Sequence, residues 1–199
     1  IMSPVNGWDI LRFIEQVGRV CYKSEDKIAE DSAADFVRKL IKRGHEAVIE
    51  HYNVTVKFTC DRGVTHEIVR HRIASYAQES TRYCNYADGK FGGEITVIKP
   101  CYLKPGSPLW NAWESSCRNA EDDYITLLEE GASPQEARAV LPNSLKTELV
   151  MTTNLRERRH FLKLRTSRSA HPQMREVALM LLEQFKANIP IFFDDIEVS

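Results

Sequence analysis

The strongest constraint on the fold is a change of hydrophobic period between Asn53 and Cys60. Four apolar residues alternate there with three polar ones, in the order Val54, Thr55, Val56, Lys57, Phe58, Thr59 and Cys60. Such alternation is typical of a strand that buries one face. On both sides of this stretch the apolar residues recur every three or four positions, which is the period of a helix. The chain is therefore predicted to mix helices and strands.

The same patterns and the end signals of helices place the remaining elements. Helices are predicted over about 8–21, from Ser32 to Gly44, over 64–69, from Ser107 to Glu130, from Ser133, from Asn154 to Leu164 and from Pro172. A further strand is expected at 95–98 and a loop over 83–93. Residues 145–153 are expected to form a strand, although their pattern also fits a helix. Because the 199 residues contain no repeat and no clear linker, one domain over residues 1–199 is expected.

Composition limits the partners and the compartment. Lys and Arg total 27 against 28 Asp and Glu, a formal net charge of -1, whereas a duplex-binding domain usually carries a basic surplus; no nucleic-acid partner is expected. No apolar run approaches the ~20 residues that span a bilayer, and residues 1–8 lack the pattern of a signal peptide, so no membrane partner is expected. The five cysteines are odd in number and form no C-x-x-C pair, which favours a reducing cytoplasm.

The most informative stretch is RHRIASYAQESTRY, residues 70–83, called the first arginine segment here. Its three guanidinium groups are planar forks of donors that match phosphate oxygens two at a time. Ser80 and Thr81 add the hydroxyl and N–H donors that complete a phosphate site. Apolar and aromatic residues interrupt the charges, which favours a site, whereas most charge runs are solvated surface. The residue types alone leave both interpretations open.

A second arginine segment, NLRERRHFLKLR, covers residues 154–165. On a helix Arg156 and His160 lie four positions apart and share a face. Glu157 can pair with neighbouring arginines on a wet surface. Taken alone, this segment is interpreted as a solvated face rather than a site.

The sequence patterns argue against several other kinds of site. The chain has neither G-x-G-x-x-G nor G-x-x-x-x-G-K-[ST], so side-chain cations would have to bind any nucleotide phosphate. His66 and His71 are five positions apart, some 140° from a shared helix face, which excludes the zinc motif H-E-x-x-H. No metal is expected. The cysteines at helical or strand spacing are expected in the core, namely Cys21, Cys60 and Cys117. Cys84 lies near the arginines, but no base is identifiable beside it.

Arg70-His71-Arg72, then seven residues, then Ser80 match the RHR-x7-S motif of flavin-dependent thymidylate synthases, the ThyX family. Further blocks resemble this family in the same order, namely residues 44–51, 136–142 and 154–165. The resemblance covers about residues 8–185. It implies an α+β fold in which long helices pack around an antiparallel sheet, and a homotetramer with active sites at subunit interfaces.

The resemblance also implies which residues bind ligands. FAD would be the cofactor, and the residues facing it would be His45, Glu50, Arg70, His71, Arg72, Ile73, Asn154 and His160. The dUMP pocket would be lined by Glu67, Arg70, Gln78, Ser80, Thr81, Arg82, Arg138 and Arg165. Catalytic roles are expected for Arg165, His45 and Ser80. Ser80 would position the phosphate, and Arg165 would stabilise an enolate-like uracil at the pyrimidine carbonyl edge.

Three positions differ from part of the family. Gln78 stands where some members have Glu, His160 where some have Asn, and Cys21 where some have a serine that touches the flavin. The implied reaction methylates dUMP to dTMP with 5,10-methylenetetrahydrofolate as folate carbon donor and NADPH as reductant of FAD. No enzymic nucleophile is required. Two alternatives are a nucleic-acid-binding module that uses both arginine segments, and a zinc hydrolase built on His45, His66 and His71.

Overall fold

A computed structural model describes residues 1–3 and 5–198. The helices are α1 (Gly7–Tyr22), α2 (Ser32–Lys42), α3 (Arg62–Ile68), α4 (Pro108–Glu129), α5 (Pro134–Ala137), α6 (Leu155–Arg165) and α7 (Pro172–Asn188). The strands are β1 (Asn53–Asp61), β2 (Ser75–Gln78) and β3 (Lys146–Asn154), and they form a sheet in the order β1-β3-β2. The predicted α+β class, with helices and a small antiparallel sheet, is confirmed.

Side-chain caps explain where several helices begin. The carboxylate of Asp61 accepts a hydrogen bond from the backbone N–H of Val64 at 2.7 Å, and α3 follows directly on β1 for that reason. Ser133 and Glu136 form a capping box at the start of α5, where the sequence predicts a helix from Ser133. At the other end of a helix, Gly44 follows α2 with a φ of 72°, a left-handed conformation that costs glycine little.

Hydrogen bonds set the antiparallel register of the sheet. The hydroxyls of Thr55 and Thr152 lie 2.9 Å apart across β1 and β3. The N–H of Glu79, just after β2, donates to the carbonyl of Glu148 at 2.9 Å. In β1 the alternate residues predicted to be buried are buried, namely Val54, Val56, Phe58 and Cys60. The period of two in the sequence therefore identified the inward face correctly.

Two local predictions are wrong, and one strand was not predicted. Residues 95–98 form only an isolated bridge, which pairs Val97 with Leu145. The pairing cannot extend past Pro100 in the first segment and Pro142 in the second, because proline has no N–H to donate to a ladder. β2 was not predicted, since four residues inside an arginine-rich stretch show little apolar alternation. Cys21 is exposed rather than in the core, whereas Cys60 and Cys117 are buried as expected.

The chain divides into two compact units. Unit 1 contains Ile1–Lys57, His71–Tyr76 and Val150–Ser199, and its helices are α1, α2, α6 and α7. Helix α1 packs against α2, and α6 packs against α7. Its largest buried apolar side chains include Ile10, Ile14, Ile49, Phe161, Phe185, Phe192 and Phe193.

Unit 2 contains Phe58–Arg70 and Ala77–Leu149, with helices α3, α4 and α5. Its core centres on Tyr124, whose side chain is fully buried and packs with Tyr86, Ile95, Ala137 and Leu145. Each unit thus has apolar packing of its own. Within the described part of the chain, no helix combines the length and the apolar character needed to cross a bilayer.

Candidate functional site

The start of α6 lines a pocket of about 550 Å³ in unit 1. Asn154 begins this helix, because its side-chain oxygen accepts a hydrogen bond from the N–H of Glu157 at 2.9 Å. Three separate parts of the sequence contribute the lining, which consists of Glu46, Glu50, Ile73, Asn154, Arg156, Glu157, His160 and Lys163. The pocket is of the size in which small molecules usually bind.

Each carboxylate of the lining already has a cationic or imidazole partner. Glu50 accepts from the guanidinium of Arg156, and this contact raises the pKa of Arg156. Glu46 accepts from Nε of Arg159 at 3.1 Å. Glu157 lies against His71. Three carboxylates and two cations, Arg156 and Lys163, therefore line the pocket beside the N-terminal turn of α6.

His71 is buried beside the pocket, with a side chain only 4% exposed. Its Nδ1 lies 2.9 Å from a carboxylate oxygen of Glu157, and its Nε2 lies 3.1 Å from Nε of Arg165. The edge of the ring meets Phe161 at a centroid distance of 4.9 Å. Burial lowers the pKa of His71 and so does the charge of Arg165, while Glu157 raises it; burial is the largest cause and the net direction is down.

His71, Glu157 and His160 also form the kind of cluster that can hold a metal ion, with ligand atoms within 4.8 Å of one another. Both ring nitrogens of His71 are, however, already engaged by Glu157 and Arg165. A metal on Nε2 would have to displace a guanidinium. The trio of His45, His66 and His71 considered from the sequence is not the group that the fold assembles.

The interpretation of the second arginine segment as a solvated face is wrong for its centre. Arg158 and Arg159 are 0% and 1% exposed. Arg159 makes a two-point contact with the carboxylate of Asp195, at 2.6 and 2.7 Å, and donates to the carbonyl of Phe192. Arg158 instead donates to the carbonyl oxygens of Val54 and Met151. The two adjacent cations therefore face different surroundings inside unit 1.

The residues predicted to bind nucleotide lie mainly in unit 2. The amide of Gln78 donates to the hydroxyl of Thr65 at 3.0 Å, which turns it toward α3. Ser80 accepts from the N–H of Arg82 in a local turn, and Nε of Arg82 donates to Gln135 at 3.1 Å. Thr81 is buried in the same turn.

Contact with Gln135 brings Arg82 to helix α5, which Arg138 follows directly in the chain. Arg138 itself is exposed, as are Arg70 and Arg72 of the first arginine segment. The Arg70 guanidinium lies 4.0 Å from the carboxylate of Glu67.

Of the eight residues assigned to the flavin, the pocket gathers Glu50, Ile73, Asn154 and His160. His71 adjoins them through Glu157, and Arg165 adjoins His71. His45 is exposed and bonds through Nδ1 to the hydroxyl of Tyr22 at 3.0 Å, and it is not part of the lining.

Sequence reasoning missed four residues of the lining, namely Glu46, Arg156, Glu157 and Lys163. One signal was available, since Arg156 and His160 share a helix face and Lys163 follows three positions later on it. Pairs such as Arg156 with Glu50 are 106 positions apart, and no local pattern reports them.

Comparison with known proteins identifies the family. The family model described as thymidylate synthase complementing protein matches residues 5–191. A protein of Pyrococcus abyssi named flavin-dependent thymidylate synthase is 35% identical over 81% of this chain and 66% of its own length. A protein of the same name from Corynebacterium glutamicum is 33% identical over 99% of this chain and 83% of its own length. Another from Geobacter sulfurreducens is 32% identical over 89% of this chain and 78% of its own length.

The chain spans slightly less than two thirds of the Pyrococcus abyssi protein and more of the other two. The family model matches nearly the whole of this chain, and this match establishes which family the chain belongs to. The chain belongs to the family of thymidylate synthase complementing proteins, and the resemblance found in its sequence is confirmed.

Proposed function

We propose that this family member is a flavin-dependent thymidylate synthase that methylates dUMP to dTMP. In this proposal 5,10-methylenetetrahydrofolate donates the carbon to C5 of uracil, and FAD reduced by NADPH supplies the hydride that completes the methyl group. The names of the relatives support both the flavin and the thymidylate product. The protein itself contributes binding, orientation and charge.

The observation that carries the proposal is the pocket at the start of α6. Four residues assigned to the flavin by family resemblance come from three distant stretches of the chain, and they line one cavity: Glu50, Ile73, Asn154 and His160. Such convergence is not a consequence of their sequence positions. It therefore supports the assignment independently of the motif.

The residues present suit a flavin nucleotide. Without a glycine-rich loop, a pyrophosphate needs side-chain donors, and Arg156 and Lys163 are cations of the lining. The amide of Asn154 and the ring of His160 can hydrogen-bond the polar edge of an isoalloxazine ring. Ile73 is 67% exposed and offers an apolar surface to the ring face. These groups would hold and orient the cofactor.

For dUMP we assign the phosphate to Ser80 and Arg82, with Thr81 in the same turn, and the pyrimidine to Arg165. The contact of Arg82 with Gln135 supports this, because it holds a guanidinium beside the turn that carries Ser80. Glu67, Arg70, Gln78 and Arg138 complete the proposed dUMP set. The positive charge of Arg165 would stabilise negative charge that develops on the pyrimidine carbonyl edge.

A cysteine nucleophile is not part of the proposal. Burial raises the pKa of the Cys60 thiol to about 12, and burial also raises the pKa of Cys117. Thiols of this kind stay protonated and unreactive at neutral pH. Cys60 and Cys117 are therefore poor candidates for a nucleophile.

The remaining assignments are also proposals. They comprise a homotetramer with sites at subunit interfaces, a folate partner, one functional domain over residues 1–199 and a cytoplasmic location.

The proposal is tested first by flavin binding. Protein mixed with FAD and passed through gel filtration should keep the visible flavin band, and NADPH should bleach that band without oxygen. Adding dUMP and 5,10-methylenetetrahydrofolate should then yield dTMP, read by mass spectrometry. A colourless protein that forms no dTMP contradicts the proposal.

A matched pair of variants tests the pocket itself. Ile73→Glu places a charge in the lining and should weaken FAD binding at least roughly tenfold, since an isolated charge is costly to desolvate. Ile28→Glu makes the same change at another exposed isoleucine of unit 1, 42% exposed and outside the lining, and should leave FAD binding unchanged. Equal effects of both changes would place the flavin elsewhere.

A further inference from the structure

We infer that Glu157 is a positioning residue: by accepting the Nδ1 proton of His71, it fixes the ring tautomer that lets Nε2 of His71 anchor Nε of Arg165. The inference deepens the proposed function, which places Arg165 against the pyrimidine. Neither the motif nor the family resemblance assigned a role to Glu157.

The directions of the two hydrogen bonds follow from the atoms involved. Nε of Arg165 carries a proton and can only donate, so Nε2 of His71, 3.1 Å away, must be its acceptor. A neutral imidazole with an unprotonated Nε2 carries its proton on Nδ1. That proton points to the carboxylate of Glu157 at 2.9 Å. The carboxylate can only accept, so one tautomer satisfies all three groups.

Helix α6 holds both ends of this chain of contacts. Glu157, Phe161 and Arg165 are spaced four residues apart and form one stripe along the helix. His71 lies along that stripe, with its ring edge against Phe161. The backbone of Glu157 is fixed by the Asn154 cap, and its side chain is 12% exposed. A rigid helix thus sets the separation of the acceptor from the guanidinium.

The groups around the ring make the tautomer sensitive to Glu157. The charged or titratable side chains that face His71 are Glu157, Arg165 and His160, and Tyr76 donates its hydroxyl to the His71 carbonyl at 2.5 Å. Without the carboxylate, Nδ1 has lost the acceptor that favours its proton. Protonation on Nε2 would then set two donors against each other, and the Arg165 anchor would be lost.

Two substitutions separate the acceptor from the charge. Glu157→Gln keeps an oxygen that can accept from Nδ1–H, whereas Glu157→Leu has similar size and no acceptor. Glu183→Leu, an exposed carboxylate of α7 in the same unit, controls for the general effect of such a change. Circular dichroism and the thermal midpoint of unfolding show whether each variant folds.

The primary measurement needs no ligand. In ¹⁵N spectra of the protein without nucleotide, the ring nitrogens of His71 should show a protonated Nδ1 in the wild type, in Glu157→Gln and in Glu183→Leu. Glu157→Leu should move the proton to Nε2, and the Nε–H signal of Arg165 should lose its protection from exchange with water. If Glu157→Leu keeps both signals, or if Glu157→Gln loses them equally, the inference is wrong.

Kinetics then connect the tautomer to the reaction. Glu157→Leu should raise KM for dUMP roughly tenfold or more, as expected when a buried donor loses its partner, and Glu157→Gln should recover most of this loss. In an Arg165→Ala background, Glu157→Leu should have little further effect on dUMP binding. Independent effects there would overturn the role in positioning. If the wild type binds no dUMP, the proposed function fails, while the spectra still decide the role of Glu157.

Discussion

The two arginine segments contain similar side chains, but the arginines of the first are exposed and the central pair of the second is buried. In the first, Arg70 is 72% exposed, and Arg72 and Arg82 also lie at the surface. In the second, Arg158 and Arg159 are fully buried. The exposed guanidinium groups are accessible to a ligand, whereas the buried ones are engaged by contacts inside unit 1. Arginine density in a sequence therefore does not indicate what the arginines do.

The buried pair differs internally as well. Arg159 contacts two carboxylates, Asp195 and Glu46, and these contacts raise its pKa against the opposing effect of burial. Arg158 has no ion pair with a carboxylate among the described residues, and burial lowers its pKa to about 10. Adjacent arginines of one helix can therefore have pKa values shifted in opposite directions, depending on whether a carboxylate lies beside them.

The largest effect is expected at Arg159. Arg159→Met leaves Asp195, 47% exposed, and Glu46, 22% exposed, without their cation. We expect the free energy of unfolding to fall by about 2 kcal/mol, because hydrogen bonds to charged groups contribute about 1.5–3 kcal/mol and solvent screens part of the charge that Asp195 is left with. Urea unfolding followed by circular dichroism measures this loss. Arg70→Met, in the exposed segment, should not move the urea midpoint. Similar losses in the two variants would break the distinction between the segments.

A smaller effect, on binding instead of folding, is expected in the first segment. Arg82→Ala should weaken dUMP binding roughly tenfold or more, since hydrogen bonds to a charged group contribute about 1.5–3 kcal/mol, and FAD binding should stay unchanged. Calorimetric titration with each ligand measures both. Arg118→Ala, at an exposed arginine of α4 in the same unit, is the matched control. Unchanged dUMP affinity in Arg82→Ala would refute the phosphate assignment.

Arg158→Met sharpens the contrast inside the buried pair. Methionine fills most of the space of the arginine and needs no hydrogen bonds, so the free energy of unfolding should change by less than about 1 kcal/mol, or increase. The urea experiment used for Arg159 applies here. A loss as large as that of Arg159→Met would show that contacts to the carbonyls of Val54 and Met151 stabilise as strongly as the ion pairs do.

The smallest effect concerns pH. Because the pKa of His71 is lowered in the folded protein from an ordinary value of 6.5, the unfolded chain binds more protons as the pH falls through that value. Stability should therefore be full above about pH 6.5 and decline below it. Urea midpoints between neutral and mildly acidic pH measure the decline, and His71→Gln should show less of it. An identical pH profile in that variant would assign the dependence to other groups.

Much of the fold could be predicted because its signals are local. The alternation in β1, the Ser133 cap and the glycine that follows α2 each depend on residues within a few positions. The short pairing at Val97 and the strand β2 were mistaken or missed, since neither has enough apolar alternation to distinguish it from a loop.

The candidate site was predicted only in part. Half of the residues that the motif and the family blocks assign to the flavin line the pocket, but these assignments left out Glu157 and Arg156. Glu157 meets His71 across 86 positions of sequence, and Arg156 meets Glu50 across 106. Such partners are brought together by packing of the whole unit, which no spacing rule describes.

Local patterns in the chain were enough to predict the family, the types and order of most elements, and the inward face of β1. These follow from backbone geometry and from caps, whose range is a single turn of helix or a pair of strand residues. The burial of Arg158 and Arg159 and the exposure of Arg70 and Arg72 became evident only in the folded chain. A long charged side chain is tolerated inside a protein where carboxylates or carbonyls accept its hydrogen bonds, and partners that are distant in sequence reach those positions only on folding.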